Sequence, residues 1–207
     1  MDATWWGVKL PGLRGSDEYS TYEAFDPATL PPLPDDLDDG LQWLRTLPAG
    51  DDPVAAAALD WEPFARAGID APPELLALLG EPPLQQHVNS VTAGCLHLAA
   101  FDRGDGGWLI LFLRDQQDVV LWFVELDADG AHRVVACGGE AMDDWYEAEL
   151  PPLSHAGPAD SELSVCAGSV REFIFRFAVE NALWASLHAR PPRPLSPLER
   201  AYAEHYA

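Results

Sequence analysis

The chain divides into stretches that show no hydrophobic period and stretches with a clear one. Residues 1–60 belong to the first kind: Pro and Asp are dense there, and apolar residues recur at no fixed spacing. The run "LPPLPDDLDDG" (Leu30–Gly40) predicts a loop leading into a short helix near Leu41–Leu47. One or two further short helices are expected in "DDPVAAAALDWEPFARAG". The signal sharpens in "APPELLALLG", where Pro73 suits a first helical turn, Glu74 suits the positive helix start and Gly80 closes the end. A helix over Pro73–Leu79 follows.

From about residue 88 to 137 the pattern changes to that of strands. "VNSVTAGCLHLAAF" is rich in β-branched and apolar residues, and the turn signals "GDGG" (Gly104–Gly107) and "DADG" (Asp127–Gly130) cut the region into a meander of about four strands. Between the two turns lies "WLILFLRDQQDVVLWFVEL", two apolar runs around the polar plug Arg114–Asp118. With Gln116-Gln117 at the centre of a hairpin tip, Leu113 faces Val120, Leu111 faces Trp122 and Leu109 faces Val124, which makes one face wholly apolar. The other face pairs Arg114 with Val119, Phe112 with Leu121, Ile110 with Phe123 and Trp108 with Glu125, so Glu125 is expected at a half-exposed edge. The plug then reads as a solvated turn, since a reactive carboxylate pair would need partners and a concave site supplied from elsewhere.

A long acidic, Pro-containing loop is expected over Gly138–Glu162. Two helices close the chain. In "SVREFIFRFAVENALWASLH", Ser169 and Glu172 have capping-box spacing, and Val170, Phe173, Phe177, Trp184 and Leu187 fall on one face with Ile174 beside them. Arg176 and Glu180 stand at i, i+4 and could pair, in the weaker orientation. In "LSPLERAYAEHY", Ser196 and Glu199 repeat the capping box with Pro197 at the first helical position. The predicted fold class is α+β: an antiparallel or mixed β-meander with helices packed around it, two of them C-terminal. Residues 1–70 form a Pro/Asp-rich segment with short helices, residues 71–207 an α+β domain, and the two make one compact unit.

Charge changes this picture most. The chain of 207 residues carries 34 acids and 12 bases, a formal net charge of −22. The net is −12 over residues 1–87, −11 over 88–170 and +1 over 171–207. Such a surface repels nucleic acid, whose binding needs Lys and Arg on phosphates, and favours a basic protein partner met by fast, salt-sensitive encounter. No apolar run approaches the roughly 20 residues of a membrane span, and the start lacks the basic and apolar regions of a secretory signal. Three widely spaced cysteines, Cys95, Cys137 and Cys166, read as buried thiols in a reducing compartment, so a cytoplasmic location is expected. Signatures of catalysis or metal binding are missing from the sequence: there is no C-x-x-C, H-E-x-x-H, G-x-S-x-G or phosphate loop, and Cys95-x-His97 lacks a second ligand pair. No cofactor, metal site or catalytic residue is expected.

"TAGCLHL", "GGWLILFLRDQQDVVLWFVELDADGAHRVV", "SVREFIFRFAVENALWASL" and "LSPLERAYAEHY", in this order and spacing, resemble the bacterial branch of the SUKH superfamily, relatives of the fungal cell-wall-assembly regulators. The resemblance covers roughly residues 73–206. Its most specific parts are Asp115-x-Gln117 followed by Trp122; the helix motif of Phe173, Arg176, Phe177, Glu180, Asn181 and Trp184; and the closing Tyr202, His205 and Tyr206. Asp118 stands where relatives usually have Gly, and Glu125 where an aromatic is common. The resemblance implies an α+β fold without catalysis and, for many bacterial members, immunity proteins that neutralise toxins, often nucleases. The acidic balance agrees with that, because an inhibitor of a basic domain benefits from acid on its surface. Candidate partner-binding residues are Asp35, Asp36, Asp38 and Asp39, the tip pair Asp115 and Asp118, and Asp143, Asp144 and Glu147. The chain is expected to act as a monomer or weak oligomer. A scaffold that docks through its Pro-rich N-terminus is the alternative, and a metal enzyme using the tip carboxylates is a third reading.

Overall fold

The computed structural model describes residues 1–15, 21–35, 37, 40–48, 59–89, 91–138, 153–154 and 157–206. Asp36, Asp38, Asp39, Asp143, Asp144 and Glu147, and most of the expected Gly138–Glu162 loop, lie outside them.

The sheet is built on the predicted meander. Strands β3 (Gly94–Asp102), β4 (Trp108–Asp115), β5 (Val120–Leu126) and β6 (His132–Gly138) are sequentially antiparallel. The GDGG and DADG turns separate β3 from β4 and β5 from β6. Two strands absent from the sequence reading extend it. β7 (Leu153–Ser154) pairs parallel with β3, and β8 (Ser164–Ala167) pairs antiparallel with β6, giving a six-stranded mixed sheet in the order β7-β3-β4-β5-β6-β8. The α+β class is as predicted.

The β4–β5 register differs from the predicted one. Ile110 pairs with Val124 and Leu111 with Phe123, and the register then shifts so that Leu113 pairs with Trp122. Phe112 is the extra residue, and a bulge of this kind turns Phe112 and Leu113 toward the same side. The faces are therefore re-sorted. Ile110, Phe112, Leu113, Trp122 and Val124 belong to the main core, whereas Leu109, Leu111, Leu121 and Phe123 form a second cluster with Ala99, Phe101, Val135, Cys137 and Leu163. Strict alternation cannot foresee a bulge, because both runs are apolar at every position.

Helix α4 (Val170–His188) lies on the main face, with Phe112 stacked edge-on to Phe173 at 5.3 Å and Trp122 to Phe177 at 5.5 Å. Ser169 caps it by accepting from the Glu172 amide (3.1 Å), and the Glu172 side chain reaches the Gly168 amide rather than closing the box on Ser169. The predicted single apolar face is too narrow: α4 is buried at Val170, from Phe173 through Leu183, and at Ser186. Its far side is covered by the N-terminal residues. Trp5 and Trp43 lie against Phe173 and Phe175 at 5.5 and 5.4 Å. Leu187, placed on the apolar face by periodicity, is exposed at the helix end.

The N-terminal segment is thus part of the main core. It contributes an unforeseen two-stranded ribbon, β1 (Trp5–Val8) with β2 (Tyr22–Phe25), and Trp5, Val8 and Leu10 are completely buried. Short 3-10 turns at Pro27–Thr29 and Gln42–Thr46 follow, then α1 (Glu62–Arg66), α2 (Pro73–Gly80) and α3 (Pro82–Gln85). The last ends before the sequence expected to begin the first strand, and β3 itself starts only at Gly94. Helix α5 (Pro197–Glu204) starts with the complete predicted capping box of Ser196 and Glu199. Among the described residues, no helix is long and apolar enough to cross a membrane.

Candidate functional site

The motif residues of α4 and the C-terminus converge, but on the interior. Glu180 is fully buried and accepts four donors: the Trp5 indole (3.0 Å), the Val8 amide (3.0 Å), the Tyr202 hydroxyl (2.7 Å) and the Arg14 guanidinium (2.7 Å). Arg14 also donates to Tyr206 Oη (3.0 Å) and to the Val8 carbonyl (2.8 Å), and its guanidinium lies 4.0 Å over the Phe25 ring. Burial works against the charged form of Arg14, but the field and hydrogen bond of Glu180 outweigh it and hold the pKa above its ordinary value. Burial, and then the adjacent Glu180 charge, push the Tyr202 hydroxyl well up, so it stays a donor. Apart from Arg14 Nε, which is buried without a hydrogen-bond partner, the polar groups named here are spent on one another, as buried polar groups require.

The predicted Arg176–Glu180 pair is therefore replaced. Arg176 pairs one turn back with Glu172 (3.1 Å) and donates to the Pro31 carbonyl (2.7 Å), while Glu180 takes its cation from the N-terminus. Asn181 bonds to the loop before β3: its oxygen accepts from Thr92 Oγ1 (2.6 Å) and its amide donates to the His87 carbonyl (3.0 Å). Trp184 stacks on His188 at 4.1 Å, and His205 Nε2 lies 2.9 Å from the Thr29 carbonyl.

At the β4–β5 tip the two carboxylates behave differently from one another. Asp115 is buried and accepts from the Gln117 amide (3.2 Å), and burial raises its pKa despite hydrogen bonds from the turn amides. It holds the turn and presents no acid to a partner, which corrects its assignment to a binding surface. Asp118 adopts a left-handed conformation (φ 55°) and pairs with Arg114 at 3.1 Å. Gly adopts that conformation without strain, whereas Asp does so at some cost. Gln117 is exposed at the tip and Trp122 completely buried beneath it. Asp35 is exposed.

The opposite end of the sheet gathers acids that sequence reading treated only as turn residues. The β3–β4 and β5–β6 turns of a meander fall at the same end, which brings Asp102 and Asp105 beside Asp127 and Asp129. The close approach there is visible at Gly107, where a Cβ would lie 2.9 Å from the Leu126 carbonyl. The segment 157–163 adds exposed Asp160 and Glu162. Beneath them Glu125, expected half-exposed, is buried and accepts from both Arg103 and Arg133, and Arg103 also pairs with Asp160 at 2.8 Å. Counting strands would have placed the two turns together. Nothing in the sequence could have placed 157–163 beside them.

The cysteines are free thiols; burial pushes Cys137 and Cys166 up to about 12, and Cys95 is half-exposed. Among the described residues no group of three or more His, Cys, Asp or Glu side chains is arranged to hold a metal ion. Comparison with known proteins found no matching family model, no matching curated protein and no matching solved structure.

Proposed function

We propose that this chain is a non-catalytic acidic binding protein of the immunity type, which neutralises a basic, nuclease-like toxin domain in the cytoplasm by direct contact. The observation that carries the reading is how the cations are used. At least eight of the twelve basic side chains, among them Arg14, Arg103, Arg133 and Arg176, are paired with carboxylates of the same chain. With internal pairs consuming most of the bases, the surplus of acid falls to the exterior, where it steers a basic partner. The SUKH-like motifs add support, because their polar members Arg176, Glu180 and Asn181 join α4 to the N-terminal residues and the loop before β3, the work of a scaffold rather than of a reactive centre.

The test is co-expression with the product of the neighbouring gene, which this reading expects to carry a toxin-type domain. Rescue of growth, together with association that weakens as salt rises, is the expected result. Failure to suppress lethality, or binding indifferent to salt, counts against it. The scaffold alternative with a detachable N-terminal docking segment gains no support, since Trp5, Val8, Leu10 and Arg14 are core residues.

A further inference from the structure

We propose that the cleft along residues 157–164 seats an extended, arginine- or lysine-bearing segment of the partner, with one cationic side chain in each of two cavities that meet at Asp160. This deepens the acidic-binder reading and rests on it. The first cavity, of about 490 Å³, is lined by Asp2, Thr4, Trp6, Asp160 and Glu162 among others. The second, of about 290 Å³, is lined by Asp102, Arg103, Asp105, Leu109 and Asp160 together with residues 157–159.

Three features select the occupant. The first cavity combines carboxylates with the half-buried Trp6, whose indole face attracts a guanidinium or ammonium group. Arg103, the one cation among the described residues lining the second cavity, is held by buried Glu125 and by Asp160, and the three lining carboxylates Asp102, Asp105 and Asp160 still outnumber it. The carboxylates are also aimed in advance: Asp102 accepts from the Gly104 amide (2.8 Å), Asp105 from the Gly107 amide (2.9 Å) and Glu162 from the Ala159 amide (2.7 Å). Groups fixed beforehand lose little side-chain entropy on binding. Two chambers divided by a single residue suit successive side chains of an extended strand. A second copy of this chain, itself at −22, is repelled, and so is any phosphate-bearing ligand.

The experiment uses the full chain and a fluorescent arginine-rich peptide. One variant carries Asp2→Asn, Asp105→Asn, Asp160→Asn and Glu162→Gln, amides that keep the acceptor oxygens while removing charge. A control of equal net charge carries Asp26→Asn, Asp60→Asn, Asp70→Asn and Glu204→Gln at exposed sites elsewhere. Melting curves confirm that both fold. The cleft variant is expected to bind at least about tenfold more weakly and the control less than about twofold. Trp6→Ala alone is expected to weaken binding by several-fold. Equal losses in the two variants, no binding by the unaltered chain, or displacement by spermidine as readily as by unlabelled peptide would overturn the proposal. Toxin suppression without cleft dependence keeps the immunity reading and removes this one. Cleft-dependent capture without suppression does the reverse.

Discussion

Arg14 and Glu180 meet at 2.7 Å in the interior, one from the first residues of the chain and the other from the middle of its longest helix. Glu180 is fully buried and the Arg14 side chain nearly so, and the pair ties the N-terminal ribbon to α4 and, through Tyr202, to α5. Removing one member leaves the other charged and buried, which costs about 3–5 kcal/mol. Glu180→Ala and Arg14→Ala should each show that loss in urea unfolding. The double variant should lose clearly less than the two together, the mark of direct coupling.

Gly7 passes so close to this hub that a Cβ there would lie 2.0 Å from the Trp5 indole nitrogen and 2.6 Å from Glu180 Oε2. Gly7→Ala must push both aside and unmake their hydrogen bonds. A loss of about 2 kcal/mol or more is expected, although alanine is benign at most strand positions. A melting temperature unchanged by this substitution would show the hub to be looser than described.

Removing residues 1–15 should abolish cooperative unfolding. Trp5, Val8 and Leu10 are fully buried, and each such side chain contributes about 1.5–3 kcal/mol, against a typical total stability of about 5–15 kcal/mol. Retention of a cooperative melt by circular dichroism would show that the N-terminus is dispensable after all.

Asp115 links stability to pH. Its folded pKa is raised, so on rising pH the unfolded chain ionises first, and the native state loses relative stability as pH climbs through the carboxyl range. Asp115→Asn removes that loss while keeping an acceptor for the Gln117 amide. The variant's stability relative to the parent should therefore increase from about pH 3 to about pH 7, measured by thermal melts across the range.

Asp118 tests the tip. Its φ of 55° favours Gly, so Asp118→Gly should be neutral or mildly stabilising, whereas Asp118→Val should cost about 1–2 kcal/mol. Both should leave the Asp115-centred turn recognisable by amide chemical shifts.

Local rules made much of this protein legible. The capping box of Ser196 and Glu199, the helix starting at Pro73 and the meander cut by GDGG and DADG follow from cap geometry, strand composition and turn chemistry, which act over a few residues. The composition fixed the acidic balance as well. Tertiary structure decided the rest, because each remaining choice set distant groups in competition. Periodicity offered Glu180 a partner one turn away at Arg176, but the buried carboxylate took Arg14, which arrives with three further donors and satisfies it completely. The β4–β5 register expected from the pattern, with Leu113 facing Val120, gave way to one with a bulge at Phe112, where Phe112 and Trp122 pack against Phe173 and Phe177. Asp102 and Asp105 of the β3–β4 turn came to line one cavity with Asp160 only when 157–160 folded beside them, a long-range contact that no short stretch of sequence encodes.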